Sequence, residues 1–501
     1  MYAPMEKAIQ LPELLNIIGT HLSQHELAQC VRVSRHWHDL FTPHLWRHLS
    51  IEAIARINFN YTFAGEICAQ YSQHIRSLEL ENTNLIDNHG LAFSNLTHLQ
   101  YDERMDDNLQ FQHQPGDPNP TWTEAEQWSL LALIKCNRSL RSIELTLRHP
   151  ADPIRIGEVL RELPCLETLE LDGPDFEHEG VFWQLLKTCP VLKSATFRNW
   201  SQNRLSMDPG HTQPQDISNV IKVRHLSISG CGSVLSLAHS FPALESLDIY
   251  QISDHNAQDL EALLAKGHAP KLHRLHVIGK TIHLDKILQH APPLEYFALS
   301  NGSLISGNIG PQIHHVGAHI FNFAATFAPP QAVFANILQS ILTVHAHSLK
   351  EFVFTLNMPF KDRAGLLMKV LASCPSLVRF YCMVPMDLAK FLEVKVEAPR
   401  LEELSLSLVL SVAFSQSDEE NLQWEEEFLD RLAQYSELRR LEMTERGAAG
   451  YDPEDKAMPL DRAKAVDALS KMKRLDFISL YSHEYAFDGS EWKYNKRWGA
   501  R

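Results

Sequence analysis

Several sequence features that identify an enzyme, a metalloprotein or a disulfide-bonded protein are lacking here. The chain of 501 residues has eight cysteines and no Cys-x-x-Cys pair, which disfavours a disulfide framework and a structural zinc site. It also lacks phosphate-binding glycine loops, nucleophile elbows and His-Glu-x-x-His motifs. None of the 27 histidines has companion ligands at zinc spacing. We therefore expect no catalytic site, no metal and no cofactor.

Positive charge is scarce, with 46 Lys and Arg against 61 Asp and Glu and a net charge of −15. Nucleic acid and anionic membranes attract a basic face, so neither is an expected partner. The N-terminus lacks the pattern of a secretory signal, and prolines interrupt the uncharged stretch 296–349, so no membrane-spanning helix is expected. The cysteines are scattered and are expected to be reduced thiols, so the expected location is cytoplasmic and/or nuclear.

What the sequence does contain is a repeated apolar pattern, in which a second apolar residue follows the first after three positions and a third follows after two more. Typical spacings run from 21 to 31 residues, which overlaps the period of about 20–29 of leucine-rich repeats. The fourteen copies begin at Ile75, Leu96, Leu140, Leu166, Leu192, Val223, Leu244, Leu272, Leu294, Leu349, Leu377, Leu401, Leu438 and Leu475.

Each copy is expected to be a short strand followed by a helix. The last two apolar positions have period two, so both side chains enter one face of a strand. Helix-period apolar residues lie between the copies, and a proline often precedes the strand, where it ends the helix. Such units stack into a curved parallel sheet with outer helices. A doubly wound α/β enzyme, the alternative, would not repeat its prolines and leucines in one register.

The first fifty residues follow a different pattern, that of three short helices. Pro12 suits a first helical turn, Ser23 to Glu26 has the form of a capping box, and Pro43 is expected to end the third helix. Three short helices bury little core, so this segment is expected to bury apolar surface on a partner. Its apolar residues are Leu11, Leu14, Leu15, Ile18, Leu22, Leu27, Val33, Trp37 and Leu40.

The segment 11–46, LPELLNIIGTHLSQHELAQCVRVSRHWHDLFTPHLW, resembles the F-box, and the repeats resemble those of F-box proteins with leucine-rich repeats. The resemblance implies docking on the Skp-type linker of an SCF-type cullin–RING ubiquitin ligase. The alternative is a helical cap of the solenoid, with Trp37 and Trp46 packed on the first repeat. The residues implied to form or support the docking surface are Leu11, Pro12, Leu14, Leu15, Leu27, Val33, Trp37 and Leu40.

This interpretation divides the chain into three parts. Residues 8–50 are the all-α F-box, and residues 51–482 are the α/β leucine-rich-repeat solenoid. The solenoid contains an insertion at 102–129, and either irregular repeats or a degenerate copy around Ile320–Phe323 fills the double-length interval 294–349. Residues 483–501 form a C-terminal tail or cap.

The implied function is substrate recognition without catalysis. The F-box would attach to the linker and cullin while the repeats bind a target protein, whose identity the sequence does not give, and the chain would not be an enzyme. The alternative is an F-box/leucine-rich-repeat scaffold that binds proteins outside ubiquitination.

Candidates for target binding lie between and beside the paired apolar positions, on the concave side of the predicted sheet. Aromatic, Met and Arg side chains are enriched in interface cores. We therefore predict that Tyr250, Tyr296, Arg379 and Tyr381 contribute to target binding. The acidic insertion 102–129 and the aromatic tail after Leu480 are the two alternative places.

Overall fold

The chain divides into two compact units, Met1–Leu226 and Ser227–Arg501, and each is described by itself. Among the described residues, no helix combines the length and the apolar character that a membrane span requires. The computed structural model describes residues 11–51, 61–80, 93–102, 124–147, 153–173, 185–187, 189, 191–198, 220–229, 240–250, 254–278, 283–300, 331–355, 363–396, 398–410, 418–443, 456–457, 462–480, 483–487 and 490–496.

The first unit begins with three helices and continues with strands and helices. Its strands β1 to β6 pair in parallel and in chain order. The helices are α1 (Pro12–His21), α2 (Gln24–Cys30), α3 (Arg35–Leu45), α4 (Tyr61–Tyr71), α5 (Glu124–Cys136) and α6 (Pro153–Arg161). The strands are β1 (His48–Ser50), β2 (Ser77–Leu80), β3 (His98–Asp102), β4 (Ser142–Thr146), β5 (Thr168–Asp172) and β6 (Ser194–Arg198), and β7 (His225–Ser229) begins at the end of the unit.

The second unit alternates strands and helices more regularly. Its helices are α7 (Asp254–Ala265), α8 (Leu284–His290), α9 (Gln331–Ser340) with a π-helical turn (Ile341–His345), α10 (Arg363–Ser373), α11 (Leu388–Glu393), α12 (Asp418–Ala433) and α13 (Arg462–Leu469). Its strands are β8 (Ser246–Tyr250), β9 (Arg274–Ile278), β10 (Tyr296–Ser300), β11 (Glu351–Thr355), β12 (Arg379–Asp387), β13 (Glu403–Leu410), β14 (Arg440–Met443), β15 (Lys456–Ala457), β16 (Phe477–Leu480), β17 (His483–Phe487) and β18 (Trp492–Lys496).

Parallel pairing also dominates the second unit. Strands β8 to β14 pair in parallel and in chain order, and β16 follows β14. The C-terminal strands β17 and β18 form a hairpin that pairs antiparallel with β16, and β15 pairs antiparallel with the end of β13. The hairpin therefore covers the edge of the last parallel strand with backbone hydrogen bonds.

All fourteen apolar triplets of the sequence are buried, with the second and third members of each on a strand. Each fully buried large apolar side chain contributes about 1.5–3 kcal/mol, so these triplets are the main source of stability in both units. The expected fold class, a short helical segment followed by leucine-rich repeats with parallel strands and helices, is confirmed. The boundaries at residues 50 and 482 stay predictions. The predicted copy around Ile320–Phe323 and most of the insertion 102–129 lie outside the described residues.

The common register of the strands comes from one backbone carbonyl in each repeat. The Thr97 carbonyl accepts hydrogen bonds from the N–H groups of both Arg141 and Ser142 at the start of β4, at 2.8 and 3.1 Å. The corresponding carbonyl of Glu295 accepts from Lys350 and Glu351 at the start of β11, at 2.7 and 2.9 Å. Because the same bond pair recurs in repeat after repeat, each strand begins at the same level as its neighbour.

Two buried polar side chains satisfy backbone groups between repeats. The Leu96 N–H donates to Asn137 Oδ1 at 3.1 Å, and Asn137 Nδ2 donates to the Leu133 carbonyl at 2.8 Å. In the second unit the Leu294 N–H donates to His345 Nδ1 at 3.2 Å. The ring proton of His345 must then lie on Nε2, which donates to the Leu288 carbonyl at 2.9 Å. Sequence reasoning missed both residues, because neither belongs to the apolar triplets.

One expected helix end differs in the structure. Pro43 was expected to end the third helix, but α3 continues to Leu45 with Pro43 inside it. Only two helical residues follow Pro43, and the end of the helix is retained because the Trp46 N–H donates to the Thr42 carbonyl at 3.1 Å.

Replacement of His345 by leucine should lower the free energy of unfolding of the second unit by about 1–3 kcal/mol, because the Leu294 N–H would be buried without a partner. The exposed His347 offers a matched control, and His347→Leu should change stability little. Denaturant unfolding of the full chain measures both. Equal stabilities for the two variants would contradict the assigned role of His345.

Burial lowers the pKa of His345 below its usual 6.5. The contribution of the neutral ring is therefore fully present above pH 6.5 and declines as the pH falls below it. Wild-type protein should lose more stability between about pH 8 and about pH 5.5 than the His345→Gln variant, which does not titrate in this range. Parallel stability curves for the two proteins would refute the assignment.

Candidate partner-docking surface

Of the three N-terminal helices, α2 and α3 begin at side chains that cap them, whereas α1 begins at Leu11 without a side-chain cap. At α2 the Ser23 N–H donates to Glu26 Oε2 at 2.8 Å, and the Glu26 N–H donates to Ser23 Oγ at 3.4 Å, which completes the predicted capping box. Hydrogen bonds from the Ser23 backbone and hydroxyl lower the pKa of Glu26. At α3 the Trp37 N–H donates to Ser34 Oγ at 3.2 Å, so the cap fixes the first turn of the helix that carries Trp37.

The three helices share a small apolar core. Leu15, Leu27 and Phe41 are buried at its centre. The Trp37 ring packs edge-on against Phe41, with 5.3 Å between the ring centroids. Partly buried side chains surround this centre: Leu22, Cys30, Val31, Trp37, Leu40 and Leu45.

Helix α1 leaves large apolar side chains in solvent. Leu14 and Ile18 are four residues apart and therefore share a helix face, and both are exposed, as are the adjacent Ile17 and, at the N-cap, Leu11. Leu14 is 41% exposed whereas its neighbour Leu15 is 2% exposed. We call Leu11, Leu14, Ile17 and Ile18 the apolar stripe. A contiguous exposed apolar surface of this kind marks a protein–protein contact.

The predicted docking residues fall into three groups. Leu11, Pro12, Leu14 and Val33 are exposed, Trp37 and Leu40 are half-buried, and Leu15 and Leu27 are buried in the core of the three helices. Their part in docking stays a prediction. Ile17 was not predicted from the sequence as part of the docking surface. The signal was present, because α1 carries more apolar residues than one helix face can bury.

The helical segment is joined to the first strand and helix of the sheet by specific contacts. Trp46 stacks on Tyr71 at the end of α4, with 4.5 Å between ring centroids and 8° between ring planes. Gln24 Nε2 donates to the His48 carbonyl of β1 at 3.0 Å. Trp46 thus packs on the repeats, whereas Trp37 packs within the three helices.

A second candidate site is the side of each sheet that carries the residues between the buried apolar positions, which we call the non-core face. Tyr250 and Tyr296 lie on this face of the second unit. Tyr250 makes an edge contact with His276, with 6.2 Å between centroids. Tyr296 is only 8% exposed, and the Arg274 guanidinium lies over its ring at 4.2 Å. Burial raises the pKa of the Tyr296 hydroxyl well above its ordinary value.

Arg379 and Tyr381 lie on β12, two strands from Tyr296. The Arg379 guanidinium is 3.4 Å from Glu351 Oε1 on β11 and 3.1 Å from Glu403 Oε1 on β13. Its charge is therefore balanced by both neighbouring strands. Tyr381 is half-buried. The part of these four residues in target binding stays a prediction.

Asp248, His276 and Ser300 lie on the adjacent strands β8, β9 and β10 and have the residue types of a nucleophilic triad. His276 Nε2 is 3.2 Å from Ser300 Oγ, and His276 Nδ1 is 3.8 Å from Asp248 Oδ1, beyond hydrogen-bond length. Ser300 and His276 are 3% and 4% exposed. Burial lowers the pKa of His276 to about 4 and raises that of Asp248 to about 6. Because the Ser300 hydroxyl is buried, we describe Asp248, His276 and Ser300 as a polar contact between β8, β9 and β10.

Comparison with protein families gives one match, over the residues that form the three helices and β1. Residues 12–52 match the F-box-like family. The chain carries an F-box-like domain. The predicted F-box with leucine-rich repeats is thereby confirmed. Leu14, Ile17 and Ile18 of the apolar stripe lie within the matched residues, and Leu11 directly precedes them. No curated protein matches the chain in sequence.

Solved structures resemble the chain at low identity. A chain of the Rad7–Elc1 complex of yeast is 12% identical, with 89% of this chain and 92% of that chain covered and a TM-score of 0.36. A protein from Bacteroides fragilis is 13% identical, with 63% of this chain and 68% of that chain covered and a TM-score of 0.26. Both scores are too low to carry an argument about function.

Because α1 has a buried and an exposed face, replacing its neighbouring leucines by alanine should change stability to very different extents. Leu15→Ala should destabilise the F-box-like domain by about 2–5 kcal/mol, because it empties the centre of a small core. Leu14→Ala should change stability by no more than about 0.5 kcal/mol. Amide hydrogen exchange, followed in peptides that cover residues 12–45, measures the stability of this segment in both variants. Strong loss of protection in Leu14→Ala would show that the stripe is part of the core.

Proposed function

We propose that this chain is the substrate-recognition adaptor of an SCF-type ubiquitin ligase. The F-box-like domain docks on a Skp-type linker and, through it, on a cullin. The leucine-rich repeats bind a target protein. The chain supplies proximity, and the other subunits supply the chemistry of ubiquitin transfer.

The observation that carries this proposal is the apolar stripe. It lies on a domain whose own core is too small to bury it, because Leu15, Leu27 and Phe41 already occupy the centre of the three helices. Full burial of one Leu or Ile contributes about 1.5–3 kcal/mol, so covering the exposed part of these four side chains, 41–58% of each, favours association with a partner. A helix face laid into an apolar groove of a partner is a common mode of recognition.

Tethering explains how a protein without its own chemistry promotes a reaction. A target held on the repeats and a ligase held on the F-box-like domain meet at an effective concentration on the order of millimolar. Orientation of the reacting groups adds to the rate because a bimolecular step becomes effectively unimolecular.

Charge placed in the stripe should abolish linker binding without unfolding the chain. Leu14→Asp introduces a carboxylate where the partner would bury an apolar side chain, and linker affinity should fall by at least about a hundredfold. Val191→Asp is the matched control, because Val191 is 40% exposed and lies in the same unit on a repeat. Binding of each purified full chain to recombinant Skp-type linker, measured by calorimetry, tests this.

Four outcomes are decisive. Loss of binding in Leu14→Asp alone supports docking through the stripe, and equal binding by both variants refutes it. Cullin recovered with the wild-type chain but not with Leu14→Asp supports the ligase adaptor. Linker recovered without cullin favours instead the scaffold that acts outside ubiquitination.

A further inference from the structure

The non-core face of the first unit is accessible and lies in register across its strands. Alternating residues of β2 to β6 point away from the apolar triplets, and the strand pairing aligns them in three rows. Every one of these positions is half-buried or exposed. The row at the strand starts carries no carboxylate and consists of Ser77, His98, Ser142, Thr168 and Ser194. The other two rows are acidic: one is Glu79, Gln100, Glu144, Glu170 and Thr196, and the other is Asp102, Thr146, Asp172 and Arg198.

This face has an excess of negative charge, with five carboxylates and one guanidinium in the two acidic rows. Arg198 pairs with Glu170 at 2.9 Å. Glu79 and Glu144 form no ion pair with any residue that the structure describes. Glu144 lies directly opposite Glu170 on the neighbouring strand, an arrangement of like charges that destabilises a sheet. Burial, and then the charge of Glu170, raise the pKa of Glu144, and the Arg198 charge partly opposes them.

The second unit shows that the strand positions of Glu79 and Glu144 can be closed to solvent. The equivalent positions there include His276, Ala298, Ser405 and Ser479, all of which are buried. At the starts of β11 to β14 the residues alternate in sign, and Arg379 lies between Glu351 and Glu403. The first unit therefore differs from the second in both charge and access, although both have the same strand geometry.

We propose that the non-core face of the first unit binds a basic, extended segment of the target protein. The inference names the chemistry of the target and rests on the proposed adaptor function. Lys or Arg side chains would pair with Glu79 and Glu144, which form no ion pair within the described residues although the Arg198 charge acts on Glu144, and would relieve the repulsion between Glu144 and Glu170. Five strands span about 19 Å, which about six extended residues would cover.

Peptide binding to the full chain tests this proposal directly. The probe is a fluorescent peptide of about eight residues that alternates Lys and Ser, and the control peptide alternates Glu and Ser. The variant Glu79→Gln with Glu144→Gln removes two carboxylates that hold no ion pair. The control variant Glu158→Gln with Glu261→Gln changes the net charge equally but lies on helices α6 and α7. Fluorescence anisotropy at low and at near-physiological salt gives the affinities.

The wild type and the control variant should bind the Lys peptide with affinities within about twofold of each other, and the face variant about tenfold more weakly. The difference should shrink at higher salt because exposed charges are screened. The melting temperature of the face variant should be equal to or above that of wild type, since repulsion is removed. Equal loss of affinity in both variants, or equal binding of the Glu peptide, overturns the proposal.

Failure of the basic-segment site can be distinguished from failure of the proposed adaptor function. Linker binding of the face variant, measured in the same preparation, should equal that of wild type. A chain that binds the Lys peptide through this face but no linker would refute the adaptor function and leave the basic-segment site in place. A chain that binds linker but shows no preference for the Lys peptide would refute only the basic-segment site.

Discussion

The structure depends on a backbone carbonyl that accepts two N–H groups from the next repeat. The Thr97 carbonyl does this for Arg141 and Ser142, and the Glu295 carbonyl for Lys350 and Glu351. Because this bond pair sets the level at which each strand begins, the apolar triplets of neighbouring repeats meet side by side in the core. A shift by one residue would expose every apolar side chain of a strand. The remaining features, including the alignment of charges on the non-core face, follow from this register.

The F-box-like domain shows how a small core produces a binding surface. Three short helices can bury only a few large side chains, and Leu15, Leu27 and Phe41 take the central positions. The other apolar residues of α1 remain in solvent, among them Leu14 and Ile18. Capping by Ser23 and Ser34 stabilises the helix ends without a larger core. The core of the domain is too small to cover the stripe.

The strands of the two units have the same geometry, but their non-core faces carry different charges. In the second unit, Arg379 between Glu351 and Glu403 balances charge within the sheet. In the first unit, Glu144 lies opposite Glu170, and Arg198 pairs with Glu170. Register brings side chains of neighbouring strands within about 5 Å of each other, so the sequence of each row decides whether a sheet face is neutral or charged. A charged, accessible face reduces stability and favours a partner of opposite charge.

The sequence by itself determined the repeat architecture, because period-two apolar triplets at regular intervals have one stable arrangement, a stack of parallel strands. It also determined the three N-terminal helices, through capping residues and helical spacing. It could not show that Leu14 is exposed while Leu15 is buried, because both are leucines within one apolar cluster and only the packing of α3 on α1 separates them. Nor could it show that His345 and Asn137 satisfy backbone groups of earlier repeats, or that Glu144 opposes Glu170. Such contacts join residues distant in the chain, and only the tertiary structure brings them together.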